Sequence, residues 1–218
     1  MSFTHANRPL KLTTSLGEDV LLLTGFHGQE SISAPYHFGL EVVSSDPHVT
    51  PGDVLRKPAT VSLELSDGST RYFHGLIRRF VRAGRDKSGM VMYRAEIVPW
   101  LWFLELSTDC RIFQNMSVQQ IVTAIFEDNG YHDYEFRDLT AGQAPRVYCV
   151  QYRESAFNFV SRLLEEEGIF YFFEHEAGRH LLVLGDTALQ HPPCPGPLLV
   201  SVSGMEHGVL EDDTILEL

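Results

Sequence analysis

Residues 150–186, VQYRESAFNFVSRLLEEEGIFYFFEHEAGRHLLVLGD, leave the chain the fewest choices. Ser155 is placed to cap a helix, after which Ala156, Phe159, Val160, Leu163 and Leu164 recur on one face, with Phe157 widening the stripe. Gly168 stops that helix. Residues 169–174 follow as a strand too apolar to have a wet face. A turn around residues 176–178 then returns the chain as a second strand from His180 to Leu184. A helix and a hairpin with almost no spare residue between them describe a compact α+β unit. Its density of aromatic and charged residues points to a part held in an assembly.

The first 98 residues carry a different period. Val20 to Thr24 is apolar and β-rich, and residues 10–33 read as an opening hairpin or strand pair. Tyr36, Phe38, Leu40 and Val42 alternate with polar or small residues, as do Val61, Leu63 and Leu65. Asp67-Gly68 offers a tight turn into a long strand over residues 72–81. Residues 84–89 turn again into a strand over 90–98, which Pro99 ends. Residues 44–58, with Pro47, Pro51, Gly52 and Pro58, read as a loop. No helix is expected here, and about five or six antiparallel strands predict a small barrel or sandwich.

At Pro99 the composition changes. Trp100, Leu101, Trp102, Phe103 and Leu104 form an apolar knot that holds both tryptophans of the chain. It reads either as an interface anchor or as a plug joining two domains, with the plug preferred. Ser117 and Gln120 form a capping box for a helix whose buried stripe is Val118, Ile121, Val122, Ile125 and Phe126, closed by Gly130. Residues 134–137 predict a short strand, and 146–152 a strand with both faces covered. Pro192, Pro193, Pro195 and Pro197 mark a linker. The final EDDTILEL is an unterminated β-like run, which suggests a fragment or a strand that needs a partner. The expected fold is α+β and mostly β: an antiparallel β-barrel domain over residues 1–105, a small α+β domain over 106–190, and a proline-rich linker with the start of a truncated second barrel over 191–218.

Charge narrows the function. With 29 Asp and Glu against 17 Lys and Arg, the net charge is -12, which disfavours a phosphate-backbone partner. Arg78, Arg79, Arg82 and Arg85 read as a solvated strand end rather than a nucleic-acid patch. No run approaches the ~20 apolar residues of a membrane span, and no ordinary signal peptide is visible. Cys110, Cys149 and Cys194 are three in number and far apart, giving neither a disulfide framework nor a zinc motif.

Candidate chemistry is thin. His175, Glu176 and His180 spell H-E-x-x-x-H, but the zinc motif needs histidines four apart on a helix, and these span a hairpin turn. They read as an incidental histidine pair. Glu165, Glu166 and Glu167 end a helix where the dipole disfavours negative charge, so solvent, a local arginine such as Arg153 or Arg162, or a partner chain must answer them. Gly-rich phosphate loops and the G-x-S-x-G elbow are absent. No catalytic, cofactor-binding or metal residue is assigned. The candidate contact residues are Trp100, Trp102, Glu165, Glu166 and Glu167. A hydrolase using Glu165–Glu167 or His180 stands as an alternative.

The segment QYRESAFNFVSRLLEEEGIFYFFEH (151–175) resembles the VgrG family of type VI secretion spike proteins. So, in the same order, do LTTSLGED (12–19), FHGLIRRF (73–80) and YRAEIVPWLWFLELSTDCRIFQNMSVQQIV (93–122). The likeness covers nearly the whole chain. It departs at Ala156, where many relatives carry an acidic residue, which weakens the polarity of that helix start. The resemblance implies a structural hub similar to that of contractile phage tails. The full protein would be a homotrimer with two similar barrels per chain, docked on the hexameric Hcp tube and able to carry effector or adaptor proteins. It would be made in the bacterial cytoplasm and exported through the type VI apparatus without a signal peptide, needing no cofactor. A tail hub of a phage or phage-like particle is the other reading that the likeness allows.

Overall fold

Strands with one mostly buried face carry the first half of the chain into one curled antiparallel sheet. The computed structural model describes residues 4, 8–65, 67–190, 201–202 and 214–215. Six strands, β1 (Leu10–Thr14), β2 (Leu22–Ser31), β3 (Ala34–Ser44), β4 (Pro58–Glu64), β5 (Thr70–Arg85) and β6 (Val91–Val98), lie in the order β1-β4-β5-β6-β3-β2. Asp67 closes the β4–β5 turn by accepting the Ser69 amide at 2.8 Å. Asp86 does the same between β5 and β6, accepting the amides of Ser88 and Met90. The edge strands β1 and β2 are not laddered to one another, so the sheet is a half-barrel. Inside it pack Tyr36, Phe38, Leu40, Val61, Ile77, Phe80, Tyr93 and Ile97.

Two expectations for this half need correction. β1 does not form a hairpin with β2; it pairs with β4, Leu12 opposite Val61. Curling brings those edges of the sequence together, and no local turn signal reports it. The loop at 44–58 also holds a short helix, α1 (Pro51–Val54), where Asp53 accepts both the backbone amide and the hydroxyl of Thr50. Pro51 at the first helical position favours that turn.

After Pro99 a 3-10 helix over Trp100–Leu106 turns Trp100, Leu101 and Leu104 into a second core. That core is completed by α2 (Val118–Asp128) and α3 (Ala156–Glu167) packed with strands β7 (Thr108–Phe113), β8 (Tyr134–Phe136), β9 (Cys149–Ser155), β10 (Phe170–Glu176) and β11 (Arg179–Gly185). Both helices bury the stripes expected of them. The Ser117–Gln120 capping box forms, and Gly168 ends α3 in the left-handed region at φ 69°. β10 and β11 make the hairpin, with β8 parallel to β11, while β7 and β9 make a separate two-stranded ribbon. Phe173 on β10 packs against both cores.

The expectation of a covered strand at 146–152 is corrected twice. The strand is Cys149–Ser155, and only one face is covered: Cys149 and Gln151 point inward, while Tyr148 and Tyr152 are 56% and 65% exposed beside Ile112. Period-2 alternation shows that a strand has two faces but not how many layers will pack on it. Of residues 191–218, only Ser201–Val202 and Thr214–Ile215 are described, as two short parallel strands β12 and β13. The proline cluster, Cys194 and the rest of the expected second barrel lie outside the described residues.

Candidate functional site

Where the two cores meet, three histidines from different strands converge. His74 is on β5, His175 on β10 and His180 on β11, with His175 and His180 opposite each other in the hairpin register. The Trp100 amide donates to His180 Nε2 at 3.0 Å, so the ring proton of His180 sits on Nδ1. That nitrogen lies 2.8 Å from His74 Nδ1, which must accept. The His74 amide in turn donates to His175 Nδ1 at 3.1 Å, and His175 Nε2 meets Glu30 of β2 at 2.9 Å. From β3 the Tyr36 hydroxyl donates to the His74 carbonyl at 2.6 Å. Gly75 lets this happen: a β-carbon there would stand 2.8 Å from the Val98 carbonyl and 3.2 Å from the Tyr36 hydroxyl oxygen. Burial holds His74 down to about 4, with His175 adding to it. Burial, then His74 and His175, hold His180 to about 2. Both rings are therefore neutral at pH 7.

H-E-x-x-x-H is thus neither a metal motif nor an incidental pair. Its imidazole nitrogens are committed to the joint between the halves, and Glu176 turns away opposite Arg179. Sequence reasoning missed His74, because nothing local in RYFHGLIRRF marks it as the partner of residues about a hundred positions on.

The acidic end of α3 is answered locally. Arg146 donates to Glu166 and to Glu167, each at 2.6 Å. Arg162, one of the two arginines expected there, reaches Glu166 only at 3.6 Å and is held mainly by Glu154 at 2.8 Å. Arg153, the other, lies over the Tyr152 ring instead. Glu165 is exposed and has no ion pair among the described residues. Two of the three carboxylates are therefore bound to a guanidinium and are not poised for acid–base work. Replacing Arg146 with alanine should cost about 1 kcal/mol, and less in molar salt, since the pair is partly exposed and each carboxylate would then oppose the helix dipole. Thermal melts at two ionic strengths check this; a loss indifferent to salt would assign Arg146 a packing role.

The two tryptophans part company. Trp100 is 3% exposed, stacked on Tyr131 at 4.7 Å with Phe126 edge-on, and its indole N–H donates to the Asp133 carbonyl at 3.3 Å. Trp102 is half-buried, with the Arg78 guanidinium 5.0 Å from its ring centre. The basic cluster is partly neutralised, because Glu96 takes both Arg78 (2.9 Å) and Arg79 (3.0 Å). The structure brings none of Trp100, Trp102 and the glutamates of α3 together into one catalytic cleft. Among the described residues no helix is long and apolar enough to cross a membrane.

Comparison with known proteins places this architecture. The family model described as phage tail baseplate hub (GPD) matches residues 29–217. The type VI secretion system spike protein VgrG1b of Pseudomonas aeruginosa is 42% identical over 195 residues, 88% of this chain and 26% of that protein. The actin cross-linking toxin VgrG1 of Vibrio cholerae is 35% identical over 192 residues, 84% of this chain and 17% of that protein. Among solved structures, the E. coli c3393 protein, described as a component of the type VI secretion system similar to the T4 tail proteins gp27 and gp5, superposes with a TM-score of 0.75. It is 27% identical, covering 84% of this chain and 50% of that one. The chain spans about a quarter of the length of the Pseudomonas aeruginosa spike proteins VgrG1b and VgrG1c that it matches.

Proposed function

We propose that this chain, which belongs to the phage tail baseplate hub family, is the hub region of a type VI secretion VgrG spike. Its role on this reading is structural. The hub trimerises, docks the spike on the Hcp tube and transmits the thrust of contraction while effector or adaptor proteins ride on it. The observation that carries the reading is the extent of the likeness, 42% identity across 88% of the chain, which takes in both cores rather than one motif. The division proposed is 1–105 and 106–190, with 191–218 leading toward a second barrel. Export through the type VI apparatus from the bacterial cytoplasm, without a signal peptide, belongs to the same proposal.

The contact surface is proposed to include the exposed Glu165 and the half-buried Trp102, with Glu166 and Glu167 behind the Arg146 clamp. Trp100 supports it from within the core. A hydrolase is disfavoured by the Arg146 pairing and by the commitment of the histidines to the joint. The phage-tail reading shares the family match, but the 42%-identical relatives are secretion spike proteins.

Light scattering on this chain extended through the following hub region should give a trimer, and the trimer should co-sediment with assembled Hcp tubes. A strictly monomeric extended chain would sink the proposal. A trimer indifferent to Hcp but bound by a phage tail tube would move it to the phage alternative.

A further inference from the structure

We infer that the three-histidine joint is an acid-released latch: with neutral rings it ties the β10–β11 hairpin to β5, and a second proton on His74 or His180 releases the tie while each core stays folded. The inference stands apart from the hub reading and rests on the tautomers. Each ring has one acceptor nitrogen, and each acceptor already faces an N–H: His180 Nε2 faces the Trp100 amide, His74 Nδ1 faces His180 Nδ1–H, and His175 Nδ1 faces the His74 amide. An added proton must land on one of these nitrogens and turn a hydrogen bond of 2.8–3.1 Å into two donors face to face. The other nitrogen of His74, Nε2, already carries the ring proton and is buried with no partner among the described residues, so it offers no second site for an added proton.

The charged and titratable groups around the cluster do not undo this. Glu30 of β2 faces His175 Nε2, where the proton already sits. Asp133, before β8, favours a proton on His74, but it is itself held by Arg179 of β11 at 2.7 Å. Tyr36 of β3 spends its hydroxyl on the His74 carbonyl. Burial of His74 and His180, 5% and 4% exposed, decides the balance. Both rings have native pKa values below the ordinary 6.5. The closed joint is therefore fully stable above pH 6.5 and loses stability as pH falls toward about 4. Local release is the expected response because the hairpin keeps its own anchors: β8 pairs with β11, and Tyr171, Leu182 and Leu184 remain in the second core.

Amide hydrogen exchange on the whole chain tests the latch. The amides tied across the joint, those of His74, of Trp100 and of Ser33, which donates to the Tyr171 carbonyl, should lose more than about 100-fold in protection factor between pH 7 and pH 4.5. Amides of Val122 and Leu163 in one core, and of Val42 and Ile97 in the other, should hold theirs. Joint amides that stay protected, or all amides failing together, would overturn the inference. His74→Asn with His180→Gln sets amide oxygens where the acceptor nitrogens stand, without titration. It should shrink the response below about 3-fold. A response of undiminished size in that variant refutes the histidine origin, and if the variant does not fold, the profile of the unaltered chain decides.

Discussion

Trp100→Ala is expected to destabilise the chain by about 3–5 kcal/mol, while Trp102→Ala costs under about 1 kcal/mol. Two residues apart, in one 3-10 helix, the two rings meet different surroundings. The indole of Trp100 fills the space between Tyr131, Phe126 and the second core, and the core has little freedom to collapse around the gap left by its loss. Its indole N–H also satisfies the Asp133 carbonyl. Trp102 is half-buried, with Arg78 over its ring and Phe103 edge-on, an arrangement whose loss the surface tolerates. Urea unfolding of both variants measures the difference. Near-equal losses would show that the 3-10 helix is packed differently from this description. Because Trp100 and Phe126 touch, the Trp100→Ala/Phe126→Ala pair should be non-additive.

Phe159→Ala should cost a comparable amount, about 3–5 kcal/mol, and should disturb the exposed ribbon as well as α3. Phe159 is fully buried and stacks on Phe113 of β7 at 5.7 Å. Arg162, one turn on, lies 4.8 Å from its ring and fastens α3 to β9 through Glu154 and the Val150 carbonyl. Removing the ring opens a cavity under β7 and loosens the arginine together. Phe157→Ala, at the half-buried margin of the same helix, serves as the comparison and should cost roughly half as much or less. Calorimetry on the two variants decides, and a larger loss for Phe157 would contradict the burial pattern.

Both helices are legible in the chain itself because helix signals are local. A capping serine, a stripe repeating every 3.6 residues and a terminal glycine all lie within one short window, and α2 and α3 obey them. The turns at Asp67-Gly68 and Asp86–Gly89 are legible for the same reason. So is the family likeness, since it rests on ordered segments of the chain. The exposed face of the β7–β9 ribbon is not, because alternation is silent on whether a second layer exists. Nor is the right arginine at the end of α3: proximity along the chain favours Arg153 and Arg162, while a loop brings in Arg146.

The histidines divide the matter most clearly. The chain alone determined that His175 and His180 lie on either side of a hairpin turn, and that the spacing cannot serve a zinc site, since both follow from local geometry. That they sit in the joint beside His74, with His180 buried, is decided only by the packing of the two cores against each other. Hydrogen-bond direction and desolvation depend on which groups lie within about 3 Å in space, and sequence separation does not constrain that distance.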